Sequence, residues 1–132
     1  MSDYTLTITL DRPHDATVAA VRSALADQGF GILTEIDLKA TFKTKLDVDV
    51  APHVILGACR PQLAHQALQV DPTIAAVLPC NVVVRFVDDS TTMVEAFDPK
   101  VMMSLTDQPA LAEVAADARQ RITATLAALE EE

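Results

Sequence analysis

The chain has 132 residues and a formal net charge of −9; half of its residues are hydrophobic, 4% are aromatic and none is tryptophan. That length is one domain's worth, and it buries roughly two thirds of the unfolded surface, enough for a core without disulfides or metal. The acid excess excludes a general nucleic-acid binder, which needs a basic face to displace counterions, and the shortage of aromatics removes stacking platforms for bases.

Tyr4 to Leu10 alternates, with Tyr4, Leu6, Ile8 and Leu10 on one face and Thr5, Thr7 and Thr9 on the other. That pattern predicts a half-buried β-strand. Asp11-Arg-Pro-His14 breaks it, and Asp15 or Thr17 is expected to cap a helix carrying Val18, Val21 and Leu25 at helical spacing. Gly29 ends that helix. The second strand, Phe30 to Ile36, is expected to put Phe30, Ile32 and Ile36 on one face and Leu33 and Glu35 on the other. Asp37 caps a short helix in which Leu38, Phe42 and Leu46 recur every fourth residue, while Lys39 and Lys43 share a face.

His53 to Cys59 is nearly all apolar and reads as a central strand. Pro61 suits the first turn of a helix, where its missing N–H costs nothing, and Leu63, Ala64, Ala67 and Leu68 form that helix's buried face. Asp71-Pro72 starts a short helical segment, Thr73 to Leu78, which Pro79 stops. Asn81 to Val87 and Thr91 to Asp98 predict a β-hairpin across Asp88-Asp-Ser90. Lys100 to Leu105 is a connector of about one helical turn. Thr106 or Asp107 is expected to cap a last helix, in which Leu111, Val114, Ala118, Ile122, Leu126 and Leu129 keep the helical period. Glu130, Glu131 and Glu132 place negative charge at the unfavourable end of its dipole, so the tail is expected to fray.

The order β-α-β-α-β-α-β-β-α predicts an α+β domain over residues 1–132, with one mixed or antiparallel sheet and helices packed mainly on one face. No basic region followed by an apolar run opens the sequence, and no stretch approaches the roughly 18 apolar residues of a membrane span. The expected setting is cytoplasmic and off the membrane, with both cysteines as thiols. Apolar material beyond the needs of a small core predicts a partner surface and a homodimer.

Several runs stand together: Gly29-Phe-Gly31, Thr34-Glu-Ile-Asp37 with the lysine-bearing helix after it, Ile55-Leu-Gly-Ala-Cys-Arg-Pro61, Leu63-Ala64, Ala67-Leu68, and Leu78-Pro-Cys-Asn-Val-Val-Val84 followed by Asp98-Pro99. Over nearly the whole chain this pattern resembles the bacterial and archaeal domain-of-unknown-function family numbered 302, and the two cysteine motifs are its most specific part. The resemblance implies a small α+β domain, often dimeric, with no settled activity. The family pattern has Asn after the first cysteine; here Arg60 stands there and adds a positive charge beside the thiol.

Cys59 and Cys80 each sit at a strand end, so the two sulfurs can approach if their strands pair. Cys59 precedes a helix N-terminus and adjoins Arg60, and both features favour the thiolate and predict a lowered pKa. Three chemistries follow: a persulfide carrier, a redox pair with Cys59 as nucleophile and Cys80 resolving, or a soft-metal site holding copper(I). No cofactor is required. The competing reading makes both cysteines small buried hydrophobes, in a domain that binds a hydrophobic molecule or a protein partner.

A fuller metal site lacks Cys-x-x-Cys and His-Glu-x-x-His patterns. His53 stands about 20 Å from Cys59 along the strand, so His65 is the better third ligand, although a solvated histidine is commoner. Glu35 acts as a general base only if a pocket buries it, and Asn81 serves either a ligand or a turn. Lys39, Lys43 and Lys45 form a basic cluster whose default is a solvated helix face. With three glycines there is no phosphate-cradling loop or dinucleotide fingerprint, and no serine sits in an elbow motif. The leading expectation is a small thiol-centred protein that binds sulfane sulfur or a soft metal, with a small molecule or sulfur carrier as partner; a thiol-dependent redox or sulfur-transfer enzyme is second.

Overall fold

In the computed structural model, which describes residues 3–132, the chain runs β1 (Thr5–Leu10), α1 (His14–Asp27), β2 (Gly31–Asp37), α2 (Leu38–Leu46), β3 (His53–Cys59), α3 (Pro61–Val70), β4 (Cys80–Asp88), β5 (Thr91–Phe97), α4 (Met102–Leu105) and α5 (Ala112–Glu131). Short 3-10 turns occupy Pro72–Val77, Pro99–Val101 and Pro109–Leu111. The strands form one sheet in the order β1-β5-β4-β3-β2, every neighbouring pair antiparallel. The expected α+β class and single sheet are therefore observed, and the sheet is antiparallel throughout its five strands.

Period-two alternation decides which face is covered. Leu6, Ile8 and Leu10 pair with Ala96, Val94 and Thr92, which in turn pair with Val82, Val84 and Phe86. Val82 and Val84 pair with Leu56 and Val54. This face packs against Val21 and Leu25 of α1 and Ile122, Leu126 and Leu129 of α5. On the opposite face, Thr7, Thr9 and Asn81 are exposed and Ile55, Val83 and Met93 half-buried. A second cluster gathers Leu63 and Ala67 of α3, Ile74, Met102, and Val114 and Ala118 of α5. Helix α5 thus joins both clusters, one half in each, which its unbroken apolar stripe requires.

Local signals set most boundaries. Asp37 Oδ1 accepts from Ala40 N at 3.0 Å and caps α2, Pro61 opens α3, and Gly29 at φ 86° turns the chain out of α1. At the hairpin, Ser90 N donates to Asp88 Oδ1 at 2.9 Å.

Four expectations are corrected. Helix α1 begins at His14 with Pro13 at its N-cap, so neither Asp15 nor Thr17 caps it; fully buried Thr17 donates its hydroxyl to the Pro13 carbonyl at 2.8 Å from within the first turn. Helix α5 grows out of the Pro109–Leu111 turn rather than from a Thr106 or Asp107 cap; Thr106 Oγ1 instead accepts from Gln108 N. In β2 the register shifts between Ile32 and Thr34, so Glu35 pairs with Leu56 and Ile36 with Ile55. That bulge moves Glu35 to the helix-covered face and Ile36 to the open one, the reverse of unbroken alternation. Finally, α5 stays helical through Glu131: Leu129 is fully buried and Glu132 pairs with Arg12 at 3.3 Å.

Gly57 stands where two side chains close over β3. A Cβ there would lie 2.9 Å from Pro79 Cγ and clash outright with Thr34 Oγ1. Gly57→Ala is expected to lower unfolding free energy by about 1–3 kcal/mol, the cost of overfilling a packed site. An unchanged urea midpoint would show that Pro79 and Thr34 yield freely.

Leu129→Ala is expected to cost about 2–5 kcal/mol, as for other buried leucines. Arg12→Ala should cost under about 1 kcal/mol, because its ion pair is partly solvated. Thermal unfolding of the two variants checks the order, and a near-zero effect of Leu129→Ala would restore the frayed tail.

Candidate functional site

Pairing of β3 with β4 brings the two cysteine motifs together. Ala58 faces Cys80 and Gly57 faces Asn81, so Cys59 follows directly on the residue opposite Cys80. Immediately beyond, Arg60 is the N-cap of α3 and Pro61 its first residue. Both cysteines are free, Cys80 buried and Cys59 partly exposed.

The two thiols border one cavity of about 30 Å³. Ala58, Cys59 and Cys80 form its sheet side, and Leu63 and Ala67 of α3 form another wall. Met102, Val114 and Ala118 close it from the C-terminal part of the chain, and Phe30, Arg60, Ala64 and Leu78 complete the lining. The lining is apolar except for the thiols and Arg60. Cys59, Arg60, Ala64 and Leu78 are partly exposed, so solvent reaches the cavity on that side.

Arg60 is unusual here. Its Nε is buried without a hydrogen-bond partner among the described residues. Gly29 makes room for it: a Cβ on Gly29 would stand 3.2 Å from Arg60 Nε and 3.9 Å from Arg121 Nη1. Arg121 itself is engaged, donating to Asp117 at 2.6 Å and to the Gln28 carbonyl at 3.1 Å.

The expected lowering of the Cys59 pKa is overturned. Burial pushes the Cys59 thiol up from its ordinary 9.0. Burial also pushes Cys80 up, to about 11, with the neighbouring Cys59 adding to the rise. Desolvation, which penalises the charged thiolate, is the cause at Cys59 and the larger cause at Cys80. Both sulfurs are therefore protonated at neutral pH.

The remaining candidates lie elsewhere. Glu35 is about half-exposed and pairs with Arg22 of α1. Asn81 is exposed on the open face of the sheet, in a trough with His53, Arg85 and Glu95. His65 is on the exposed side of α3, between inward-facing Leu63 and Ala67. His53 pairs with Arg85 at the far end of β3, as the strand length requires. Lys39 donates to the Val50 carbonyl, and Lys43 pairs with Asp47 and Asp49. No three His, Cys, Asp or Glu side chains among the described residues are grouped to hold a metal. The walls from Met102, Val114 and Ala118 were not attached to the site by sequence; helical period marked Val114 and Ala118 as buried but not against what.

The raised thiols make stability pH-dependent. Their contribution is complete below the ordinary 9.0 and is lost as pH climbs towards about 11, because the unfolded chain ionises first. Unfolding free energy should fall across that window, and Cys80→Ala should flatten the fall. A slope unchanged in Cys80→Ala, measured by urea unfolding, would contradict the assignment.

The profile of the family described as domain of unknown function DUF302 matches residues 6–129. The crystal structure of the uncharacterized conserved protein DUF302 from Bacillus stearothermophilus aligns with a TM-score of 0.85 at 28% sequence identity, covering 95% of this chain and 97% of that one. No curated protein matches the chain significantly. With the profile running from β1 to the end of α5 and taking in both cysteine motifs, the chain belongs to the DUF302 family.

Proposed function

We propose that this chain is a binding protein whose site is the two-thiol cavity and whose ligand is a small sulfane-sulfur species. The observation that supports this reading is the convergence of Cys59 and Cys80 on one apolar cavity of about 30 Å³. That volume is far below the roughly 300–1,000 Å³ of pockets that take drug-sized ligands, so it suits a ligand of a few atoms. A drug-sized ligand does not fit, whereas a polarisable sulfur atom does. Neutral sulfurs in an apolar wall suit such an atom better than a hard one.

Two rival chemistries lose support from the same site. A nucleophilic thiol needs a depressed pKa, and burial raises both. Copper(I) could use the two sulfurs alone, but it must displace both thiol protons, and burial makes that harder.

Polysulfide offered to the native protein, followed by gel filtration and cyanolysis of the retained sulfur, tests the reading. Wild type is expected to retain sulfur, and Cys59→Ser and Cys80→Ser are each expected to lower retention at least about tenfold. Retention indifferent to both substitutions overturns it. Copper(I) held against a chromophoric chelator in preference to sulfur would transfer the site to the metal reading.

A further inference from the structure

The chain carries 19 acidic against 10 basic residues, so an arginine here is seldom far from a carboxylate. Five arginines have one: Arg12 pairs with Glu132, Arg22 with Glu35, Arg85 with Glu95, Arg119 with Asp98 and Arg121 with Asp117. The Arg60 side chain is in none of the ion pairs or side-chain hydrogen bonds among the described residues, and its Nε is buried without a partner. It is also the arginine that lines the thiol cavity.

We propose that Arg60 is the anion-binding half of this site: it holds the charged end of a small oxyanion whose terminal sulfane sulfur lies in the cavity against Cys59 and Cys80. The proposal rests on the sulfane-sulfur reading above and adds the ligand's charge and shape. Three further observations bear on it. The cavity's lining is apolar apart from Arg60 and the cysteines, so Arg60 is the group there that suits a charged head. Gly29 lacks the Cβ that would press on Arg60 Nε at 3.2 Å, and Arg121 Nη1 lies 3.9 Å from that same point, at ordinary contact distance. Arg121, paired with Asp117, brings a second guanidinium to the Gly29 side of Arg60. Protonated thiols add no negative charge to repel the ligand. A guanidinium presents N–H donors in a planar fork that matches an oxyanion, which an ammonium does not.

Calorimetric titration of the intact protein with thiosulfate, and with sulfate as the oxyanion lacking a sulfane sulfur, tests this. Wild type should bind thiosulfate at least about tenfold more tightly than sulfate. Arg60→Gln should weaken thiosulfate at least about tenfold, the scale of one charge-assisted contact, and Arg60→Lys should fall between. Arg12→Gln, which removes an arginine paired elsewhere, should bind as wild type does. Thiosulfate bound equally by wild type and Arg60→Gln overturns the proposal and leaves the sulfane-sulfur reading standing. Equal, Arg60-dependent binding of sulfate and thiosulfate, indifferent to Cys59→Ser, upholds Arg60 as the anion group but removes the sulfane-sulfur reading beneath it. Absence of thiosulfate binding in wild type overturns the proposal.

Discussion

The register between β3 and β4 is the constraint on which the molecule turns. Side chains in a strand alternate, so a slip of one residue would carry a whole apolar row to the wrong face. Here the row is Val54, Leu56 and Ala58 opposite Val84, Val82 and Cys80. Five of these six are the sheet's central core, and the sixth is a thiol of the candidate site. Both cysteines line one cavity because the register that buries the valines sets them at neighbouring strand ends. No interaction between the sulfurs is needed to bring them together, and the core's burial holds their relation with far more free energy than a thiol contact could supply.

A second layer of control comes from what closes over that register. Helix α3 leaves β3 at Arg60, and α5 crosses from the first hydrophobic cluster to the second. Together they turn the open end of a strand pair into a partly enclosed cavity. Enclosure then determines the chemistry. A cysteine beside an arginine at a helix start would be activated in water; partly buried against an apolar cavity, the same thiol is pushed up instead.

Much of this was legible in the sequence, and the boundary of legibility has physical causes. Alternation in Tyr4–Leu10, the apolar run His53–Cys59 and the long helical period ending at Leu129 each bury a face, so each announced its element. Asp37, Gly29 and Pro61 announced boundaries because they act on backbone within about one turn of themselves. The β2 bulge did not show, because nothing about Leu33 or Thr34 sets it locally; it follows from the pairing with β3. The state of Cys59 was misread for the same kind of reason. Neighbours in sequence spoke for activation, while the cavity also takes walls from Met102, Val114 and Ala118, distant in sequence, and burial raises the thiol. Arg60's lack of a partner is a property of the whole fold, visible only once the other arginines have found theirs.

Magnitudes decide which feature of the site calls for a functional explanation. A void of 30 Å³ costs under about 1 kcal/mol at the rate measured for buried cavities. Small voids of that kind are ordinary packing residue, and two buried cysteines beside one are ordinary too. An unpaired polar group is different: leaving a buried donor unsatisfied costs about 1–3 kcal/mol, and more when it is charged. Arg60 Nε is such a donor, and the acidic surface had ample carboxylates to offer it. The cavity by itself would not single out this corner of the fold. The cavity beside an arginine left open does, because a ligand that satisfies the arginine recovers free energy that folding left unused.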